Sequence, residues 1–312
     1  MMIPSNPKRS YAFPIIKFIC LLEFIYYLKK FYRIIRVYEH PILCLLRMIL
    51  SPKKERIVKF ADGTTKPGIS IKTFYPTAIA KNASILSNRS RKYRYLGKEI
   101  KLYTADPFGP QIEVFQNDEY GFLNVENKDV LDVGANIGDT TLYFLFKSAK
   151  QVIAVEPYPL NCEIIERNLE TNLVDKKRAM VLNCGVGHRG EIRISTEIIN
   201  SGACAGISSS QGKSIDIIPL SDIISKYKIE HGVLKMDCEG CEYEALLDES
   251  CETLRRFVQM QIEYHYGPWA LVEKLKNCGF LVYYTHPKFV PNINVERPMT
   301  LRGYIYATWE QS

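Results

Sequence analysis

The chain has 312 residues, of which 46% are hydrophobic and 24% charged, and its formal net charge is +7. This length allows one large domain with an extension or two small domains, and the composition excludes a disordered chain. The positive charge is confined to the beginning, because residues 1–60 contain 12 Lys or Arg against 3 Asp or Glu, whereas the other 252 residues contain 29 against 31. A body so close to neutral disfavours a broad nucleic-acid groove across it.

Residues 1–56 are predicted to form a basic, aromatic helical extension. Lys17 and Glu23 interrupt the apolar stretch 11–28, which disfavours a membrane-spanning helix, and the stretch lacks the cleavage site of a signal peptide. Basic and aromatic residues then alternate, and a second apolar segment follows at 42–50. Two interpretations of residues 11–50 remain open: a helix lying on an anionic membrane surface, or an extension packed on protein.

Residues 57–127 are predicted to form a small β-rich cap before the main domain. Short β-prone runs at 93–103 and 111–115 look like the strands of a hairpin, with Pro and Gly residues between them.

Nine cysteines, an odd number without the spacing of a disulfide framework, indicate reduced thiols and a cytoplasmic location, peripheral on the membrane if the arm binds lipid. Cys238 and Cys241 form a C-x-x-C pair without a second pair of zinc ligands beside it. We interpret the two as core-filling thiols, with a redox pair as the alternative.

From residue 128 the sequence alternates between β-prone and helical segments. Strands are predicted at 129–133, 151–155, 179–184, 232–236, 257–262, 280–285 and 300–309. This order predicts a doubly wound, mostly parallel seven-stranded α/β sheet with helices on both faces and one antiparallel edge strand over residues 128–312. Ligands of such sheets bind beyond the carboxyl ends of the strands.

The first strand of this domain leads into the motif Asp-Val-Gly-Ala-Asn-Ile-Gly-Asp at 132–139, and the second strand ends in Glu156. Gly134 and Gly138 allow a sharp turn and a close approach to a ligand, and Glu156 is placed to accept both ribose hydroxyl protons. A dinucleotide-binding pattern fails because Asp132 and Ile137 stand where glycines are needed. The motif resembles the first motif of class I S-adenosylmethionine (SAM) methyltransferases.

Acidic residues also follow the next two strands. Asp237 and Glu239 come after strand 232–236, and Glu263 and His265 after strand 257–262. Methyl transfer to a hydroxyl needs a proton acceptor, and His265 suits that role, although a loop histidine bonded to a neighbour is the alternative. Asp237 or Glu263 could orient it, bind acceptor hydroxyls or hold a divalent cation. We interpret Glu242 and Glu244 as solvated acids of a first helical turn.

Four segments together resemble the FkbM family of SAM-dependent methyltransferases. They are 132–141, 155–159, 234–242 and 262–265, in the family's order and spacing. The resemblance implies a class I methyltransferase fold with SAM as cofactor, and neither a metal ligand nor a need for a divalent cation is indicated. The residues it assigns to the cofactor are Asp132, Gly134, Asn136, Gly138, Glu156, Pro157 and Cys184, and those on the acceptor side are Asp237, Glu239, Glu263 and His265.

By this resemblance the chain is an O-methyltransferase for a hydroxyl of a glycan, a glycolipid or a related small molecule. One alternative is an RNA methyltransferase that uses the basic arm, although the Asn-Pro-Pro-Tyr type of motif of many base-methylating enzymes is absent. The other is a non-catalytic, membrane-attached binding module that retains the fold. A dehydrogenase is excluded by the failed glycine pattern.

Overall fold

The computed structural model describes residues 39–50, 56–59, 65–69, 90–103, 111–194, 212–291 and 299–309. Contacts divide the chain into two compact units, residues 1–82 and 83–312. In the first unit, helix α1 covers Pro41–Leu50, and strands β1 (Arg56–Lys59) and β2 (Thr65–Ile69) pair antiparallel. Within the described part of the chain, no helix is long and apolar enough to cross a membrane. Most of the predicted arm, residues 1–38, lies outside the described residues.

The second unit begins with the hairpin of β3 (Ser90–Tyr95) and β4 (Lys98–Tyr103), followed by helix α2 (Gln111–Gln116). The chain thus turns within the run 93–103, which was predicted to be one strand of a hairpin with 111–115. The prediction of a strand at 111–115 was wrong. The run is too short for its periodicity to separate a strand from one helical turn. Packing decides for the helix, because Val114 and Phe115 are buried in an aromatic cluster with Tyr143.

The alternation predicted from residue 128 onward is confirmed. In chain order the elements are β5 (Asp129–Val133), α3 (Asp139–Phe146), β6 (Gln151–Val155), α4 (Pro159–Thr171), β7 (Ala179–Leu182), β8 (Gly185–Val186), β9 (Gly190–Ile194), β10 (Lys213–Ile218), α5 (Leu220–Tyr227), β11 (Gly232–Met236), α6 (Glu242–Leu246), α7 (Cys251–Leu254), β12 (Phe257–Tyr264), α8 (Trp269–Asn277), β13 (Leu281–Tyr284), β14 (Lys288–Pro291) and β15 (Met299–Thr308). Helix α5 was not predicted.

The central sheet has the strand order β7-β6-β5-β11-β12-β15-β13, and β14 pairs with β15 as an eighth strand. The first five strands of this order pair in parallel, and β15 is antiparallel to β12, β13 and β14. The predicted doubly wound α/β fold is therefore confirmed, with two corrections. The sheet has eight strands instead of seven, and its antiparallel strand lies inside the sheet, not at its edge.

Successive residues of the central strands point to opposite faces of the sheet, and each face is buried under helices. Leu131 and Val133 of β5 pack with residues of α5, α6, α7 and α8 in one cluster. Val130 packs on the other side with residues of α3 and α4 and with the hairpin. Every residue of β5 and β11 is buried, as such a doubly covered strand requires, and the two aspartates of β5 and the lysine of β11 are the charged exceptions to its apolar composition.

Two asparagines of α4 attach the hairpin to the sheet domain. The Asn168 and Asn172 side chains each accept from and donate to the backbone of β4, at Tyr103 and Lys101 respectively, over 2.6–3.1 Å. These four bonds satisfy backbone groups of β4 that lack a strand partner. The predicted domain boundaries at residues 56 and 127 stay predictions, but the hairpin lies in the same unit as the sheet.

Candidate active site

The loops that follow β5, β6, β11 and β12 lie side by side because parallel strands present their carboxyl ends at one edge of the sheet. The first and third of these loops touch at Gly134. The Asp237 amide donates to the Val133 carbonyl at 3.0 Å, and a Cβ on Gly134 would lie 1.8 Å from the Asp237 carbonyl oxygen. Gly134 also has a φ of +76°, so both space and backbone conformation require glycine there.

The loop between β5 and α3 is held by its own hydrogen bonds. The Gly134 and Ala135 amides both donate to the Val155 carbonyl at 2.9 and 3.1 Å, and Asn136 has a left-handed φ of 50°. Gly138 precedes α3 with a φ of 82°, close against Ile165. The amides of Gly134 and Ala135 therefore shape the loop.

Asp132 lies beneath this loop and is fully buried. Its Oδ2 accepts hydrogen bonds from the Thr140 and Thr141 hydroxyls, both at 2.7 Å, and its Oδ1 lies 3.1 Å from the Lys235 ammonium. Asp132 thus ties β5 to the first turn of α3. These bonds position the loop from below, and the cofactor-binding role assigned to Asp132 stays a prediction.

Lys235 of β11 is a residue to which the sequence analysis gave no role. Its ammonium is buried and donates to the Gly134 carbonyl at 2.7 Å and the Val133 carbonyl at 3.2 Å, besides pairing with Asp132. Burial alone would lower its pKa, but the carboxylates of Asp132 and Asp237 raise it above the ordinary value. A lysine inside an otherwise apolar central strand is the sequence signal that could have indicated this buried pair.

Glu156, at the end of β6, is 4% exposed. Its Oε2 accepts from the Asn136 amide at 2.9 Å, and its Oε1 accepts from the Tyr158 amide at 3.0 Å and the Asn161 side chain at 3.2 Å. A carboxylate has about four acceptor positions, so these three bonds leave room on Oε2 for one further donor, not the two we expected. Burial raises the pKa of Glu156 to about 7, although the amides of Tyr158 and Asn136 act against the shift.

The other two residues assigned to the cofactor lie near Glu156. The Asn183 side chain donates to the carbonyls of Glu156 and Pro157 at 3.1 and 2.9 Å, and so holds the start of α4. Cys184 is 6% exposed in the core cluster under α5 and α6, and burial raises its pKa to about 11. Cys184 is therefore an unreactive thiol that packs in the core.

The predicted acceptor residues form one cluster after β11 and β12. The His265 side chain is 1% exposed, and its Nε2 lies 3.3 Å from Glu239, 3.9 Å from Asp237 and 4.0 Å from Glu263. On the other side of the ring, Nδ1 lies 2.8 Å from an oxygen of Glu242. We expected Glu242 to be solvated, which was wrong, since it is fully buried under the imidazole.

Burial and neighbouring charges raise the pKa values of three groups in this cluster, His265, Glu263 and Asp237. Burial would lower the pKa of His265, but the carboxylates of Glu239 and Glu242 raise it to about 11. Burial and the nearby Asp237 raise the pKa of Glu263 to about 8, and burial raises the pKa of Asp237. A histidine that is already protonated at neutral pH cannot accept another proton, and this one is only 1% exposed. His265 is therefore poorly suited to the base role predicted for it.

Residues from β15 complete the cluster, and the sequence motifs did not point to them. The Arg302 guanidinium donates to Glu239 at 2.9 Å, and the Tyr304 hydroxyl lies between Glu119 at 2.5 Å and Glu263 at 3.3 Å. Both reach the site because β15 pairs directly with β12, which places Tyr304 opposite Glu263.

Two disulfides lie in this half of the domain. Cys238–Cys241 spans the loop that carries Glu239, and Cys251–Cys278 joins α7 to the end of α8. The interpretation of Cys238 and Cys241 as core-filling thiols was wrong. Pairing cannot be read from a C-x-x-C spacing alone, because the turn that brings the two sulfurs together forms only when β11 ends in the Asp237 loop.

The residues present fit SAM. Glu156 offers its remaining acceptor position at the end of the second strand, where a ribose would lie. Asp139, in the first turn of α3, has a buried Oδ2 that makes no hydrogen bond. Asp237 and Glu263, whose side chains are 30% and 18% exposed, face the same edge of the sheet. The site thus has room for a cofactor ribose at Glu156 and for a methyl acceptor at the carboxylates of Asp237 and Glu263.

Comparison with known proteins finds a family match over just under half of the chain. Residues 132–282 match the family model described as Methyltransferase FkbM domain, and no curated protein matches the sequence. Similar solved structures include methyltransferase FkbM from Methylobacillus flagellatus KT, with 16% identity, 77% of this chain and 55% of that chain covered, and a TM-score of 0.40. M. jannaschii TYW2 in complex with AdoMet has 15% identity, coverage of 72% and 87%, and a TM-score of 0.37. Trm5b from Pyrococcus abyssi has 13% identity, with 70% of this chain and 56% of that chain covered, and a TM-score of 0.38.

Proposed function

From the family match over residues 132–282, just under half of the chain, we propose that this protein is a SAM-dependent methyltransferase whose acceptor is a hydroxyl of a glycan, a glycolipid or a related small molecule. The observation that carries the proposal is the contact of two loops at one edge of the sheet. The acidic cluster meets the Gly134 loop at Asp237, so an acceptor held by the cluster lies next to a cofactor held by the loop. Carboxylates are suited to binding several hydroxyl groups at once.

SAM, when bound, supplies an electrophilic methyl group on its sulfonium. The protein's part is to hold the two reactants in line and to receive the hydroxyl proton. Glu156 would accept a ribose hydroxyl of the cofactor through Oε2, and the bonds from Asn136 and Asn161 fix the orientation of its carboxylate. Lys235 and Asp132 keep the Gly134 loop in place from below.

We assign the proton-accepting role to a carboxylate instead of His265. Asp237 and Glu263 reach the surface of the cleft, whereas the His265 ring is 1% exposed and is held at Nδ1 by Glu242. Tyr304, within 3.3 Å of Glu263, orients that carboxylate. Glu263 is therefore the first residue to test.

Glu263→Gln should lower turnover roughly 100-fold and leave SAM affinity unchanged, because the amide cannot accept the proton but fills the same space. Transfer of label from tritium-labelled SAM to glycans, glycolipids, polyhydroxylated small molecules and total RNA measures this. The matched control is Glu244→Gln, an exposed acid outside the cluster, which should keep full turnover. Label that enters RNA alone would contradict the proposed acceptor, and SAM binding without transfer to any acceptor would favour the non-catalytic alternative.

SAM affinity should rise by up to about tenfold between pH 6 and pH 8. With the pKa of Glu156 at about 7, about a tenth of these carboxyls are ionised at pH 6 and about nine-tenths at pH 8, and only the ionised form accepts a ribose hydroxyl on either oxygen. Calorimetric titration at both pH values measures the ratio. Glu156→Gln should weaken binding by about 1–3 kcal/mol at pH 8 and remove this part of the pH dependence. If the ratio of SAM affinities at pH 8 and pH 6 is the same in the wild type and in Glu156→Gln, ionisation of Glu156 does not cause the pH dependence.

The location remains a prediction from the sequence: cytoplasmic, and peripheral on an anionic membrane surface through residues 11–50. The expectation of reduced thiols, on which the cytoplasmic part was based, was wrong for the four cysteines of the Cys238–Cys241 and Cys251–Cys278 disulfides. Helix α1 supports the membrane part, because Ile42, Leu46 and Ile49 are each at least half exposed on its surface. Cosedimentation of the full chain with anionic and with neutral vesicles checks this, and we expect binding to the anionic vesicles. A chain that binds neither kind of vesicle would contradict the proposal.

A further inference from the structure

The cluster after β11 and β12 holds more negative charge than its cations balance. Asp237, Glu239 and Glu263 surround one edge of the His265 ring, and Glu242 occupies the other. The only described cation that contacts these carboxylates is Arg302, at Glu239. Grouped anions of this kind persist when a cation or a proton lies between them.

The imidazole nitrogen at the centre of the cluster makes no hydrogen bond. His265 Nε2 is buried and unbonded, although Glu239 lies 3.3 Å away. Nδ1, by contrast, is 2.8 Å from Glu242. In the neutral imidazole, the form that binds a metal ion, an Nδ1–H donated to Glu242 leaves a lone pair on Nε2 on the side of the carboxylates. A carboxylate behind a histidine is the arrangement that orients a metal-binding imidazole in proteins.

The spacing of the atoms also fits an ion. Two ligands that each lie about 2.1 Å from one ion are separated by about 3 to 4 Å. Nε2 is 3.3 Å from Glu239 and 3.9 Å from Asp237, and one ligand atom from each of the three residues lies within 4.8 Å of the others. Glu263, at 4.0 Å, stands at the same edge as a fourth oxygen donor.

We propose that Asp237, Glu239 and His265 form a binding site for a divalent cation, with Glu242 orienting the imidazole from behind. One imidazole nitrogen among carboxylate oxygens suits Mn²⁺ or Zn²⁺ better than Ca²⁺. Because Asp237 is 30% exposed and faces the cleft, the ion would keep open positions for the oxygens of the acceptor. This deepens the proposed function, since it restricts the acceptor to compounds that offer hydroxyls to a metal.

The test is Mn²⁺ binding to the EDTA-treated full chain, followed by electron paramagnetic resonance and by calorimetry. We expect one tight Mn²⁺ per chain in the wild type, a loss of affinity of about tenfold or more in Glu239→Gln and Asp237→Asn, and a loss of about 10–100-fold in the orienting variant Glu242→Gln. Glu244→Gln, on the same segment but outside the cluster, should bind like the wild type. The unfolding temperature of each variant in EDTA, compared with that of the wild type, shows whether the variant is folded without metal. Because two ligand residues are replaced separately, the test still stands if one of the two variants does not fold.

The proposal is overturned if the wild type binds Mn²⁺, Zn²⁺ and Mg²⁺ as weakly as Glu239→Gln does. A proton on Nε2 would then balance the charge of the carboxylates in place of a metal ion. SAM affinity measured on the same samples separates this result from a failure of the proposed function. SAM binding without metal binding removes only the cation site. Metal binding without SAM binding keeps the site and removes the methyltransferase.

Discussion

Lys235→Met is expected to destabilise the protein by about 3–5 kcal/mol, because it leaves Asp132 as an uncompensated charge in the interior. The ammonium is the ionic partner of Asp132, and it also bonds the carbonyls of Val133 and Gly134. Methionine fills much of the lysine's volume, so the loss comes mainly from charge and hydrogen bonds. Urea unfolding followed by circular dichroism measures the change in the free energy of unfolding.

The matched variant is Lys235→Met combined with Asp132→Asn. Removing both charges should recover part of the lost stability, since a buried pair costs less to delete than to break. If the double variant is no more stable than Lys235→Met alone, packing or the carbonyl bonds, and not the charge of Asp132, account for the effect. A loss below about 1 kcal/mol in the single variant would contradict the role given to this pair.

Gly134→Ala is expected to abolish SAM binding, with a loss of about 100-fold or more in affinity. The new methyl group would lie 1.8 Å from the Asp237 carbonyl oxygen, which belongs to backbone and cannot rotate away. The loop must therefore separate from β11, and the bonds from Gly134 and Ala135 to Val155 would open with it. Overpacking and the unfavourable φ of +76° each cost about 1–3 kcal/mol.

Gly97→Ala is the control that separates backbone strain from the clash. Gly97 has nearly the same φ, +75°, but a Cβ there would meet nothing within 4 Å. Its replacement should cost only the backbone term of about 1–2 kcal/mol and leave SAM affinity unchanged. Equal SAM affinity in Gly134→Ala and the wild type would show that the two loops can move apart without cost.

The fold could be predicted because its signals are local. Short, largely apolar strands alternate with helical segments, and Asp132, Glu156, Asp237 and Glu263 each lie within one residue of the carboxyl end of a strand. What failed depends on contacts between distant residues. Helix α2 and the interior position of β15 are decided by packing, and the burial of Glu242 follows from a histidine that lies 23 residues later. The Lys235–Asp132 pair is the exception, since a lysine inside a buried strand is visible in the sequence.

The position of β15 bears on how the molecule assembles. Residues 299–308 are synthesised after both β12 and β13, yet they insert between them. Until they do, β12 presents a row of unpaired backbone groups, which is a template for association with another unfinished chain. Tyr304 and Arg302 arrive on the same strand, so the acidic cluster is completed in the step that closes the sheet. Catalytic competence should therefore appear late in refolding, and an incompletely folded chain would carry the cofactor loop without a finished acceptor site.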